Sequence, residues 1–126
     1  MSSSEKQKTV LIMEDNADLQ EILKINFESE WVEVIQSYDG INGLIEMVSK
    51  SPDVVLLDLM MPRMDGFELL EILSLRDEIQ IPIIICSNIK AGDSRKKKLS
   101  NRADMIIEKA DHDGWEIVKK VIEFLR

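Results

Sequence analysis

Four consecutive apolar residues, Val54-Val55-Leu56-Leu57, run straight into a carboxylate at Asp58. Turn-forming residues flank them, Ser51-Pro52-Asp53 before and Leu59-Met60-Met61-Pro62-Arg63-Met64-Asp65-Gly66 after. So short and unbroken an apolar run suits a strand buried on both faces, which means a parallel strand covered by helices. Asp58 then stands at the carboxyl end of a central strand, the edge at which open α/β sheets hold their ligands. An acid in that place is either a functional group or a costly burial. The remaining strand ends decide between the two.

The 126 residues suffice for one domain with a single core. A net charge of −8 speaks against a nucleic-acid module, because phosphate binding needs a basic surface. No apolar stretch approaches the ~20 residues of a membrane-spanning helix. Residues 1–8 lack the apolar centre of a signal peptide and read as a disordered tail ahead of one domain over 9–126. The lone cysteine, Cys86, lies in an apolar run without a partner for an internal disulfide, which fits a core residue of a cytoplasmic protein.

Along the chain, Thr9–Met13 is a first buried strand ending on Glu14 and Asp15. Asn16 is placed to cap a helix with Leu19, Ile22, Leu23 and Phe27 inward. Trp31–Ile35 is a second strand, and Asp39 caps a helix with Ile41, Leu44, Ile45 and Val48 on one face. After the central strand, Pro62 enforces a turn, and Asp65 with Glu68 has the spacing of a capping box before Leu69, Leu70 and Leu73. Ile81–Cys86 is a fourth strand, with Pro82 at its start and Ser87 at its end. From Lys90 to Asn101 a helix is expected whose only apolar residues are Ala91 and Leu99, so it is weakly held. Ala103–Ile107 is a fifth strand ending near Glu108 and Lys109. Asp113 and Glu116 then box the start of a last helix with Trp115, Val118, Val121, Ile122 and Leu125 inward. The alternation predicts an α/β fold: a doubly wound five-stranded parallel sheet with helices on both faces. Right-handed crossovers bring all the strands' carboxyl ends to one edge.

That edge collects Glu14, Asp15, Asp58, Ser87 and Lys109 from four strands. Any one of these alone reads as a loop residue; their coincidence has a common chemistry. Clustered carboxylates resist ionising unless a cation joins them. A hard divalent ion such as Mg²⁺ takes few carboxylates and keeps several waters. Such an ion draws a phosphoryl oxygen to itself and leaves Asp58 free to attack phosphorus and form an acyl phosphate. Lys109 and the Ser87 hydroxyl can contact the remaining phosphoryl oxygens.

The segments Val10-Leu11-Ile12-Met13-Glu14-Asp15-Asn16, Leu56 to Glu68, Ile81 to Ser87 and the strand ending at Lys109 together resemble the receiver domain of two-component response regulators, over Thr9 to Arg126. The resemblance implies a flavodoxin-like receiver fold of the single-domain, chemotaxis-regulator type. It implies phosphoryl transfer to Asp58 from a sensor histidine kinase or phosphotransfer protein, with Asp58, Ser87 and Lys109 as catalytic residues. Asp15 and Asp58 would ligate Mg²⁺ directly, Glu14 through water and Met60 through its carbonyl. Ser87 would be the switch hydroxyl, with Ile106 at the second switch position. It also implies a switched protein partner docking on the last two helices and the fifth strand. No external substrate would be turned over; the domain would catalyse only its own phosphoryl transfer and loss.

Three positions depart from the family's pattern. Ile106 stands where an aromatic switch residue is usual, which directs the output toward the helix after Ser87. Ala110 replaces the proline that usually follows the lysine, so the Lys109–Ala110 bond is expected to be trans. Asn88 replaces a small residue and narrows access to the site, and Met60 and Ile89 offer nothing to orient an attacking water. Slow self-dephosphorylation is the expectation.

Other features have a plain and a sharper reading. The basic run Arg95-Lys96-Lys97-Lys98, with Lys90 and Arg102, is a solvated helix face or a docking surface for an acidic partner; without aromatic or base-reading elements it does not predict DNA binding. His112, the only histidine, lies between Asp111 and Asp113 in an expected exposed loop, which speaks against a phosphohistidine. Ile117 and Phe124 form a second apolar pair on the last helix, either buried or exposed as a face for a partner or a homodimer. A degenerate receiver acting as a phosphorylation-independent interaction module is the alternative reading, supported by Ile106 and Ala110 but opposed by the complete set of acids, hydroxyl and lysine. A metal-dependent phosphatase would want a second aspartate where Met60 stands.

Overall fold

Strand residues alternate between two apolar layers because side chains in a strand point to opposite faces in turn. Val10, Ile12, Val54, Leu56, Ile84, Cys86 and Ile107 face one layer with Leu23, Phe27, Val118 and Val121; Leu11, Met13, Val55, Leu57, Ile83 and Ile85 face the other with Met47, Leu69, Leu70 and Leu73. Both faces being covered explains why the strands read as continuous apolar runs rather than alternating ones. The computed structural model describes residues 6–89, 93–95, 99 and 102–126.

Five strands, β1 (Thr9–Met13), β2 (Glu33–Ser37), β3 (Val54–Leu57), β4 (Ile83–Ser87) and β5 (Met105–Glu108), form one parallel sheet in the order β2-β1-β3-β4-β5. Helices α1 (Ala17–Ser29) and α4 (Gly114–Leu125) pack on one face, α2 (Gly40–Lys50) and α3 (Gly66–Ser74) on the other. The strand order reverses between β1 and β3, and the crevice at that reversal is where a doubly wound sheet takes its ligand. Pairing sets Met13 beside Leu57 and Ser87 beside Glu108, so the residues that follow β1, β3 and β5 sit close to Ser87 at one edge. No helix among the described residues is long and apolar enough to cross a membrane.

The caps fall where the sequence puts them. Asn16, Asp39 and Asp65 accept from Leu19, Asn42 and Glu68 N–H at 2.9, 2.8 and 3.0 Å, and Asp113 with Glu116 makes the full capping box. Strand bounds shift, each for a local reason. The C-terminus of α1 is locked by Trp31 N–H on Glu28 O and Val32 N–H on Phe27 O, with Trp31 at φ 61°, so the chain is not extended until Glu33. Pro82 has no N–H to pair, and β4 begins at Ile83 opposite Val55 and includes Ser87. Ala103 N–H turns back to Leu99 O, which holds β5 to Met105–Glu108.

Two helix faces differ from expectation. In α1 the buried stripe is Gln20, Leu23 and Phe27, and Ile22 is exposed. In α2 the inward residues are Gly40, Gly43 and Met47; Ile45 and Val48 are 57% and 62% exposed. A Cβ at Gly43 would lie 2.1 Å from the Met13 methyl, and one at Gly40 only 1.9 Å from the Met64 carbonyl oxygen. The glycines therefore let α2 lie close to the sheet and the β3–α3 loop, which turns its branched side chains outward. In α4, Val118 and Val121 are buried as expected and Trp115 is 42% exposed. Ile117 is fully buried and Phe124 packs on the same layer, so this second pair belongs to the core. The expected helix from Lys90 to Asn101 lies largely outside the described residues, as do Lys90 and Lys96-Lys97-Lys98; of its apolar residues Leu99 is buried.

Candidate functional site

The edge beyond β1 and β3 is built on backbone. Asp58 N–H bonds Met13 O at 2.9 Å and Glu14 N–H bonds Ser37 O at 3.0 Å, fixing both acids to the sheet. The loop after Asp58 folds back so tightly that Gly66 N–H reaches Leu59 O at 2.8 Å. A Cβ on Gly66 would lie 2.6 Å from the Leu59 Cα and 3.1 Å from the Asp58 carbonyl oxygen, so only glycine admits this approach. Carboxylate oxygens of Glu14, Asp15 and Asp58 lie within 4.8 Å of one another. Glu14 and Asp58 are buried, and Asp15 is exposed at the mouth.

Asp58 is held by three donors. Its Oδ1 accepts from the Ser87 hydroxyl at 2.9 Å and from Met60 N–H at 3.2 Å; its Oδ2 accepts from Lys109 Nζ at 2.9 Å. Lys109 also pairs with Glu14 Oε1, and Glu14 Oε2 accepts Asn16 N–H at 3.0 Å. Five expected residues are thus brought together: Glu14, Asp15, Asp58, Ser87 and Lys109. Met60 contributes its N–H here and has an exposed side chain. Ile106 lies on β5 and is 40% exposed.

Burial pushes the Glu14 carboxyl above its usual range, against the lowering effect of Lys109 and Asn16. For Lys109, burial pulls the ammonium down, but its hydrogen bonds to the Glu14 and Asp58 carboxylates, with their charge, together outweigh it and the net shift is upward. The Cys86 thiol nearby is pushed up to about 12, chiefly by burial, and is inert at neutral pH. One ammonium facing three carboxylates leaves an excess of negative charge on hard oxygen donors. That donor set fits a divalent metal ion.

Several contacts were not visible in the sequence reading. Gln20, wholly buried, donates its amide to the carbonyls of Ile12, Glu14 and Ser37 at 3.0, 3.0 and 2.8 Å. Its position at i−3 and i−7 from Leu23 and Phe27 was the available signal, a polar residue on a buried stripe. Asn88 Oδ1 accepts Ala110 N–H at 2.7 Å, and the His112 ring bonds Glu108 O at 2.7 Å. The Lys109–Ala110 bond is trans, as expected. Two members of the basic run are committed internally. Arg95 stacks over the Phe67 ring at 4.0 Å and bonds Asp93, and Arg102 donates to Ile79 O and Ile81 O.

Known proteins share the sequence pattern and the fold. The response regulator receiver domain model matches residues 10–121. The chain is 33% identical over 102 residues to the response regulator GtcR of Aneurinibacillus migulanus, covering 81% of this chain and 41% of that protein. It is 31% identical over 119 residues to the DNA-binding dual master transcriptional regulator RpaA of Synechocystis, covering 93% of this chain and 48% of that protein. The chain spans less than half the length of these curated relatives. The receiver domain of the Francisella response regulator 1452 superposes with a TM-score of 0.81 at 26% identity, covering 93% of this chain and 95% of that one. The family match runs from the first strand into the last helix, and the chain belongs to the response regulator receiver domain family of two-component signalling.

Proposed function

We propose that Asp58 accepts a phosphoryl group from a sensor histidine kinase or phosphotransfer protein, and that this modification switches binding of a downstream protein. The carrying observation is the environment of one carboxylate: Ser87 and Met60 bond one oxygen, Lys109 the other, with Glu14 and Asp15 alongside. In the transfer, the bond from phosphorus to the donor's leaving atom breaks as the bond from an Asp58 oxygen forms, and Lys109 keeps its protons. Lys109 and the Ser87 hydroxyl stabilise charge on the equatorial phosphoryl oxygens, since such reactions depend on positioning and electrostatics.

Asp15 and Asp58 would hold Mg²⁺ directly, with Glu14 acting through water and the Met60 carbonyl as a further oxygen. When bound, the ion supplies neutralisation of the acids and a template for a phosphoryl oxygen. The domain turns over no external substrate in this reading, and the exposed apolar Met60 and the bulk of Asn88 and Ile89 favour slow loss of the phosphoryl group. A cytoplasmic setting accords with the buried unpaired Cys86 and with a kinase as donor. Signal output is assigned to the surface of β5, α4 and the segment after β4, by protein contact and not by direct DNA binding, given the charge of −8.

The test is to incubate wild type and Asp58→Asn with a small-molecule phosphodonor and Mg²⁺ and to weigh the intact protein. A gain of one phosphoryl group in wild type alone supports the reading. No gain in the presence of bound Mg²⁺ refutes it and leaves an interaction module independent of phosphorylation.

A further inference from the structure

The turn that presents Lys109 has no proline and little structure of its own. Lys109–Asp111 is a single 3₁₀ turn directly after β5, with no side-chain cap at its start. Such a turn is too short to fix its own orientation, and the lysine it carries is long and rotamer-rich. Side chains from both flanks hold it instead. On one side His112 Nδ1 donates to Glu108 O at 2.7 Å, a role the carbonyl acceptor requires of that nitrogen, and His112 N–H reaches Lys109 O at 3.3 Å. On the other side Ala110 N–H donates to Asn88 Oδ1 at 2.7 Å, across 22 positions of sequence.

The second contact closes a ring through the site. Asn88 follows Ser87, whose hydroxyl bonds Asp58 Oδ1; Ala110 follows Lys109, whose ammonium bonds Asp58 Oδ2. The two groups that grip Asp58 are therefore tied to each other through the residues that follow them. The tie needs an N–H at position 110, which a proline lacks, and an acceptor at position 88, which a small apolar residue lacks. Both arise at positions where this chain departs from its family's usual pattern.

We propose that Asn88 is a positioning residue for phosphoryl transfer, latching the Lys109 turn to the end of β4 so that the ammonium is held at Asp58. This rests on the phosphoacceptor reading of Asp58. Asn88 is exposed at the rim, so its replacement leaves the core untouched.

The experiment measures the rate of phosphorylation of the full chain by a small-molecule phosphodonor with Mg²⁺, by intact mass, for wild type, Asn88→Leu, Lys109→Ala and the double variant. Asn88→Leu keeps the bulk and removes the acceptor. It is expected to slow labelling by about three- to tenfold, the worth of one hydrogen bond. In the Lys109→Ala background the same substitution is expected to change the rate by less than about twofold, because coupled residues are not additive. The Ala110 amide, followed by NMR hydrogen exchange, is expected to exchange about tenfold faster in Asn88→Leu and to stay protected in Asn88→Asp, which retains an acceptor oxygen. Equal slowing in both backgrounds, unchanged Ala110 exchange in Asn88→Leu, or lost protection in Asn88→Asp overturns the proposal. Wild type and Asn88→Leu labelled at one rate overturn the latch alone; a wild type that takes no phosphoryl group overturns the phosphoacceptor reading and the latch with it.

Discussion

Replacing Gln20 by methionine tests how the acidic half of the site is held. Methionine has a similar length and flexibility, so packing changes little. What goes is a buried nitrogen that serves three carbonyls at 2.8–3.0 Å and an oxygen that accepts Gln36 Nε2 at 3.2 Å. The losses are unequal. Ser37 O keeps the Glu14 N–H at 3.0 Å, and Ile12 lies within the paired length of β1. Glu14 is one residue past the end of β1, and its carbonyl is the one left without an amide. One orphaned buried carbonyl costs about 1–3 kcal/mol, and the half-buried Gln36 amide adds about 0.5 kcal/mol. A net loss of about 1.5–3.5 kcal/mol follows. With an unfolding entropy of about 2.1 cal/mol/K per residue over 126 residues, Tm falls by about 6–13 °C. Thermal and urea unfolding followed by circular dichroism measure it. A fall under about 2 °C would show that relaxation or water satisfies Glu14 O and that Gln20 does not anchor the loop.

Gly66→Ala must move backbone, because the new Cβ would lie 2.6 Å from the Leu59 Cα; about 1–3 kcal/mol of stability is lost, and urea unfolding without that loss refutes the tight-loop account. Mg²⁺ is expected to raise Tm with concentration, by an amount equivalent to about 2.7 kcal/mol at a hundredfold excess over Kd; a wild-type Tm flat in Mg²⁺, or a rise undiminished in Asp15→Asn, counts against the metal site. Two raised pKa values act in separate pH windows. Lys109 has its pKa raised in the folded state, so its contribution is fully present below the unfolded value near 10.5 and is lost as pH rises through the higher folded value. Wild type should therefore lose stability relative to Lys109→Met only at alkaline pH. Glu14, also raised, binds its proton more readily when folded, so wild type gains on Glu14→Gln as pH falls through the window just above 4.5. Cys86, with its thiol at about 12, is expected to resist iodoacetamide at neutral pH until the protein unfolds, as read by intact mass.

The sheet was legible because its strands are short apolar runs ending in polar residues. β1 and β3 have the bounds the sequence suggested, and the acids at their ends follow from that. Helix orientation was less legible, since apolar spacing says which residues share a stripe but not which stripe faces inward. In α2 the glycines decide it: Gly40 and Gly43 permit a close approach that Ile41, Ile45 and Val48 would block, and a pattern of apolar residues counts glycine as nothing. Gln20 and Asn88 were illegible for a related reason. A polar side chain inside an apolar stripe or beside a functional residue declares its acceptors only once distant backbone is brought to it, from Ser37 in one case and Ala110 in the other.

The site divides into halves held by different means, and this bears on how a change at Asp58 leaves it. Glu14 and Asp58 are fixed by sheet backbone, by Gln20 and by the Gly66 turn. Ser87 and Lys109 touch Asp58 through side chains alone, and the Lys109 turn is fastened by the side chains of Asn88 and His112. Adding a phosphoryl group to an Asp58 oxygen changes the acceptors offered to Ser87 and Lys109 while leaving the backbone-held acids in place. In the phosphoacceptor reading the half held by side chains is the one expected to respond. Its neighbours along the chain include the half-exposed Ile106 on β5 and the exposed Trp115 at the start of α4. In that reading, with no aromatic ring at 106, the hydrogen-bonded turn is the connection expected between site and surface, and loss of Asn88 or His112 is expected to weaken the coupling of output to phosphorylation.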